Sequence, residues 1–271
     1  MAFASLALIS GIAYIVVLAG ATGTAERLLV DRAASVVERQ VAAIQIRLDP
    51  VTDQLELLAA LMAAGRVDVN SPVAVREALA ITMERVPAVS IAAFGTLDLQ
   101  LHRAVRHADG VIVRDTVPLT SLQRGLERFR ELQTSHRTFW GNLFWSNSLK
   151  QPVLNVRTPV RRIDDAFIGA LVATVGVGDL SSLIADPAHG GDARHFILFD
   201  HDKVLAHRLL IDPSRFNLTE DKPLPTVQQL GDPVLAHIWD PPVHSPTIDR
   251  ALGALGHVVE ADGHRWVFVY R

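Results

Sequence analysis

The chain has 271 residues, 49% of them hydrophobic, and a formal net charge of −3. That apolar content supplies the core of one large or two modest domains. The charge balance, with no Lys/Arg stripe, excludes a nucleic-acid footprint, and the absence of cysteine excludes disulfide scaffolds, thiolate metal sites and cysteine nucleophiles together.

Residues 2–25 carry no charged side chain, and 3–18 are the densest apolar run. A helix needs about 20 mostly apolar residues to cross a bilayer, so residues 1–25 are expected to form a transmembrane anchor. The competing reading is a cleaved signal peptide with Ala19-Gly20-Ala21 as its small-residue site. The lack of a basic n-region, and a helical pattern that runs on past the apolar stretch, favour the anchor.

Residues 26–66 are expected to form a stalk helix. Val30, Ala34, Val37, Val41, Ile44, Leu48, Val51, Leu55, Leu58 and Met62 follow a 4-3-4-3 spacing, the seam of a heptad repeat. Pro50 lacks an N–H and disfavours helix at Asp49, but the seam keeps register across it, which predicts a kink rather than a stop. The seam either packs the helix on its own domain or pairs it with a second copy. A homodimer through the stalk is the expected partner arrangement.

Residues 67–190 read as one domain. Ser71 is placed to cap a helix over Pro72–Arg85. Strands are predicted at Ser90–Gly95, Gln100–His107 and Val111–Val117, then a helix over Thr120–Leu132. Phe139–Trp145 is an aromatic strand. In Val153–Val160, Leu154, Val156, Thr158 and Val160 point one way and Val153, Asn155 and Arg157 the other. Phe167–Val175 is apolar on both faces, as a central strand would be, and Asp179 stands where an N-cap belongs. The pattern is α+β, an antiparallel sheet bracketed by helices. The run 186–193, DPAHGGDA, is the expected linker to a smaller unit over 191–271. That unit has hairpins at His195–His207 and His257–Arg271, with short helices over Pro225–Leu230 and Asp232–Trp239 between them.

The segments FWGNLFW, QPVLNVRTPVRR, FIGALVATV and DLSSL, followed by FILFDHDKVLAH, KPLPTVQQLGDPVLAHIW and RWVFVYR, resemble the Cache family. These are PAS-like extracytoplasmic ligand sensors, and the likeness is to the sensor region of bacterial class III adenylate/guanylate cyclases, over residues 25–271. The resemblance implies two PAS-like antiparallel-sheet subdomains (a double Cache), the second incomplete and truncated, so that the chain is expected to be a fragment or a truncated gene product. It also implies a bacterial inner-membrane location with the sensor in the periplasm.

Chemistry-bearing motifs are sparse. No phosphate-binding glycine loop, HExxH or nucleophile elbow is present, so no catalytic residue, metal ligand or cofactor is assigned, and no cyclase activity is expected of this chain. Asp200, His201, Asp202 and His207 read as a solvated hairpin turn. The candidate ligand site is Phe139, Trp140, Phe144 and Trp145 together with Asn155 and Arg157. A small-molecule pocket combines apolar walls with a few oriented polar groups, and Arg157 would take a carboxylate through two parallel hydrogen bonds. The alternative is that the aromatics are core and Arg157 is solvated.

Amino-acid-binding relatives in the family carry an Arg-x-Trp-Tyr type run. Here Arg128-Phe129 has no Trp-Tyr after it, the family's Asp falls on Val177 with Asp179 two residues late, and Phe144 replaces a pocket Tyr. These departures argue against a free amino acid. The expected function is a membrane-anchored sensor module signalling to a nucleotide cyclase. The alternatives are the sensor of a chemoreceptor, histidine kinase or diguanylate cyclase, or a secreted binding protein or enzyme.

Overall fold

The computed structural model describes residues 12–17, 23–107, 109–122, 124–185 and 194–270. Its first element is a strand, β1 (Ile12–Val17). This corrects the expected membrane helix over that stretch. The sequence IAYIVV is β-branched and aromatic, and a short apolar run of this kind suits a buried strand as well as a helix. Of the rest of the 1–25 anchor, residues 23–25 begin a helix and the others lie outside the described residues. Among the described residues no helix is long and apolar enough to cross a membrane.

Helix α1 (Gly23–Ala63) runs without a stop through Pro50, as the unbroken seam predicts. The seam serves largely the chain's own core, because Val30, Val37, Val51, Leu55, Leu58 and Met62 are buried in the single chain. Helix α2 (Pro72–Arg85) has Ser71 as its cap, with Oγ accepting from the Ala74 N–H at 3.3 Å, and Pro72 in its first turn. Both features satisfy or remove N–H groups that a helix start leaves unpaired. Then come β2 (Ile91–Gly95), β3 (Gln100–Arg106), β4 (Ile112–Pro118), α3 (Gly125–Thr134), β5 (Phe139–Ser146), β6 (Gln151–Arg161) and β7 (Phe167–Gly176). The predicted helix over Thr120–Leu132 is a 3-10 turn at Leu119–Ser121 followed by α3. Helix α4 (Val177–Ile184) starts before Asp179, which therefore sits in its first turn rather than at its cap. The remaining elements are β8 (Arg194–Phe199), β9 (Lys203–His207), α5 (Pro246–Leu252), β10 (Gly256–Ala261) and β11 (His264–Val269). Of the two short helices expected between the hairpins, only a 3-10 turn at Leu235–His237 forms.

The chain divides into two units, one of residues 46–176 and one of residues 1–45 with 177–271. The expected linker at 186–193 falls outside the described residues, and α4 belongs to the second unit. The first unit is a six-stranded antiparallel sheet in the order β4-β3-β2-β7-β6-β5. One face carries the main core, where Leu55, Met62, Leu79 and Met83 from α1 and α2 pack on Phe94, Val156, Leu171 and Ala173. Each fully buried Leu or Met there contributes about 1.5–3 kcal/mol relative to exposure. The other face is covered by α3, whose Phe129 and Leu132 meet Ala93, Leu101 and Ala170.

The second unit is a five-stranded sheet in the order β10-β11-β1-β8-β9. In the first sheet β7, the last strand of its unit, lies between β2 and β6; in the second, β1 lies between β8 and β11. Behind β8 and β9 lies a buried ionic knot. Asp232, fully buried, accepts from Arg194 Nη1 at 2.8 Å and from the N–H groups of Val234 and Leu235, and faces His207 Nε2 at 3.4 Å. Because His207 Nδ1 accepts from the Leu209 N–H, its Nε2 carries the proton and points it at Asp232. The carboxyl is held well below the usual carboxylate range. Burial alone would raise it, but the His207 bond, the Leu235 N–H and the Arg194 charge together outweigh burial.

Candidate ligand site on the α3 face of the six-stranded sheet

Side chains directly opposite on antiparallel strands share a face. Register places Arg103, Ala93, Val172, Arg157 and Phe139 in one row across β3, β2, β7, β6 and β5, with Ile91, Thr174, Asn155 and Gly141 in the next. The first row lies under α3, and the second is its neighbour on the same face. A β-bulge between Gly141 and Phe144 then changes the phase of β5, so that Phe144 pairs with Val153 and Trp145 with Pro152. Four of the six expected site residues therefore come together: Phe139, Phe144, Asn155 and Arg157. Trp140 and Trp145 do not. Trp140 pairs with Val156 and packs on the α1/α2 core, and Trp145 points the same way.

Arg157 is the centre of the arrangement. Its side chain is 7% exposed. Nε donates to Asn155 Oδ1 at 2.6 Å, Nη1 donates to Glu131 Oε2 at 2.9 Å, and the guanidinium carbon lies 6.0 Å from the centre of the Phe139 ring. Burial pushes the guanidinium below its ordinary range, while the Glu131 carboxylate pulls it back up. Asn155, fully buried, uses its amide to donate to the Asn142 carbonyl at 2.6 Å, which fixes its oxygen toward Arg157. Arg128, also from α3, lies 4.6 Å over the Phe144 ring.

Three further groups complete the site, and the sequence alone does not single them out. Glu131 provides the counter-charge from α3. Thr174 is buried beside Asn155, with an Oγ1 that has no hydrogen-bond partner, and a buried hydroxyl in that state costs free energy until something bonds it. Gly141 leaves the room that the Arg157 and Asn155 side chains occupy, since a Cβ there would come within 2.5 Å of Asn155 Oδ1 and 2.8 Å of Arg157 Nε. Gly141→Ala is accordingly expected to displace both groups and to cost about 1–3 kcal/mol of stability, read by urea unfolding.

Arg103 shares this face but is committed. Its fork meets both oxygens of Asp115 on the next strand, at 2.8 and 2.5 Å, and Nη1 reaches Ser148 at 3.0 Å. A groove of about 560 Å3 opens between α2 and β3–β4, lined by Glu77, Ile81, Glu84, Arg106, Ile112 and Arg114. It lies on the opposite face of the sheet, and no expected site residue lines it. His102, on that opposite face, is pushed below the ordinary histidine range, first by burial and then by Arg76. It is therefore neutral near pH 7 rather than a sensor of that pH. Among the described residues no group of three His, Asp or Glu side chains could hold a metal ion.

No protein-family model matches the chain, and no curated protein does. Solved structures do. The sensory domain of the Campylobacter jejuni chemoreceptor Tlp3 matches with a TM-score of 0.59 at 13% identity, covering 92% of this chain and 96% of that one. The same receptor's ligand-binding domain in complex with L-valine matches at 0.58 and 13%, covering 94% and 97%. The ligand-binding domain of the Pseudomonas fluorescens chemoreceptor CtaA in complex with L-leucine matches at 0.57 and 13%, covering 92% and 98%. The chain thus has the α+β fold of chemoreceptor ligand-binding sensor domains, over nearly its whole length and theirs.

Proposed function

We propose that this chain is the ligand-sensing module of a signalling protein, and that the α3 face of its six-stranded sheet binds a small carboxylate with Arg157 as the anion anchor. The observation that carries this is a nearly buried guanidinium set beside a fully buried Asn155 and an unpartnered Thr174 hydroxyl. Phe139 and Phe144 supply apolar wall. Structural neighbours with this fold bind small amino acids, which supports a carboxylate-bearing ligand. No catalytic step is assigned to the chain.

The output unit is open to two readings. The sequence resemblance supports a nucleotide cyclase, and the likeness of fold to chemoreceptor domains supports a chemoreceptor. In either, the module would lie outside the cytoplasm. Copies would pair through the partly exposed seam residues Val41, Ile44 and Leu48 of α1.

The test is a thermal-shift comparison of acids with their amides. A ligand that binds only the native state stabilises it by about 2.7 kcal/mol at a hundred times its dissociation constant. 4-Methylpentanoate is expected to raise the melting temperature in a concentration-dependent way and 4-methylpentanamide is not. Equal shifts from acid and amide would remove the carboxylate, and with it Arg157, from the reading.

A further inference from the structure

We propose that Glu131 is a built-in stand-in for the ligand's carboxylate: the ligand enters by exchanging with it on Arg157, and the exchange releases α3 from the sheet. This rests on the reading of the site given above.

The two partners of this ion pair are unequal. The Arg157 side chain is 7% exposed and that of Glu131 is 58% exposed. A cation held in a low-dielectric setting needs a counter-charge, whereas a carboxylate already half in water returns to water at small cost. The anion is the exchangeable member. Arg103, on the same face, shows the contrasting design, with Nε and Nη2 both taken by a carboxylate from the adjacent strand and Nη1 by Ser148. Glu131 makes one bond to Arg157, across a separation of 26 residues and from a different element. A second acceptor oxygen has somewhere to go, because Thr174 Oγ1 has no partner.

What else holds α3 decides how it would move. Its C-terminal end is pinned by Arg161, which donates to the carbonyls of Gln133 and Ser135. Its N-terminal end has Arg124 in a left-handed conformation and no side-chain cap. Phe129, Leu132 and the half-buried Leu126 pack by apolar contact, and Arg128 lies over the Phe144 ring. The helix is therefore pinned at its C-terminal end, latched in its last turn through Glu131, and held nearer its start by apolar and cation–ring contacts with no side-chain cap. A carboxylate on Arg157 undoes the latch and leaves the pin, so α3 swings about its C-terminal end. That gives a two-state element whose balance the ligand sets by its differential affinity.

Hydrogen exchange and binding on Glu131→Gln test this together. Without ligand, amides of 125–134 are expected to exchange faster in Glu131→Gln while those of β6 are unchanged. 4-Methylpentanoate is expected to bind about ten-fold more tightly, as when an occupant that fills a site nine-tenths of the time is removed. Unchanged exchange over α3, or unchanged or weaker binding of 4-methylpentanoate, overturns the proposal. If Glu131→Gln weakens L-leucine but leaves its deaminated analogue 4-methylpentanoate alone, Glu131 receives an ammonium group, and the stand-in role is overturned. If neither probe binds either protein, it is the ligand reading that fails, and the α3 exchange rates alone decide the latch.

Discussion

Replacing Arg157 by alanine is expected to weaken binding of 4-methylpentanoate by about 2–5 kcal/mol, the usual loss when one partner of a buried charged hydrogen bond is truncated. At the low end that is roughly thirty-fold in the dissociation constant. The effect on folding is expected to be smaller. Strand β6 contributes to the main core through Val156 and Val160, on the face away from Arg157, where Leu154 is buried as well. Losing the guanidinium strands only the Asn155 oxygen, a cost of about 1–3 kcal/mol. Arg157→Lys separates charge from geometry. It keeps the cation but loses the planar fork, so it should fold as the parent does and recover only part of the affinity. Calorimetric titration with urea unfolding in parallel checks all of this. A variant that folds and binds as well as the parent would show that Arg157 is not the anchor.

The second large effect is on stability and lies in the other unit. Asp232→Ala is expected to destabilise it by about 3–5 kcal/mol, because removing one member of a buried ionic group leaves the others uncompensated. Here those are His207, 1% exposed, and Arg194, 27% exposed. The same carboxylate sets an acid dependence. Its pKa is depressed in the folded state relative to the usual ~3.9, so the unfolded chain binds the proton first as pH falls. Its stabilisation is complete above about pH 5 and is lost progressively below about pH 4. Asp232→Asn, which keeps the acceptor for the Val234 and Leu235 N–H groups but has no carboxyl to titrate, should lose stability less steeply over that range. Urea unfolding, read by Trp239 and Trp266 fluorescence in a Trp140→Phe, Trp145→Phe background, follows this unit alone. A loss under about 1 kcal/mol, or equal acid slopes for parent and Asp232→Asn, would show that the knot carries little of the stability.

What the sequence disclosed, and what it did not, follows from the range of the forces involved. Helix α2 is legible because its cap, its proline and its apolar period lie within a few residues of one another. Strands β3 and β6 are legible because alternation is a local pattern. The side of β5 on which each aromatic lies is not. Counting alternately from Phe139 puts Trp145 beside it and Phe144 opposite, and the bulge after Gly141 reverses both. Arg157 and Asn155 stand out as polar residues in the interior of a mostly apolar strand. Glu131 does not, because its role depends on α3 crossing a strand 26 residues away. Asp232 reads locally only as the start of an expected short helix, and Arg194 and His207 join it only through the fold. The strand β1 pairs with residues 194–197 and 266–269, and nothing within IAYIVV announces partners so distant.

Whether a carboxylate docks on Arg157 is read most directly from that residue's Nε–H resonance in a proton–nitrogen correlation spectrum, assigned by its loss in Arg157→Lys. During titration with 4-methylpentanoate it should move and saturate at the dissociation constant found by calorimetry, while the Arg106 and Arg114 resonances stay fixed. Saturable binding that leaves Arg157 unmoved and shifts Arg106 or Arg114 instead would place the ligand in the α2 groove and contradict the account.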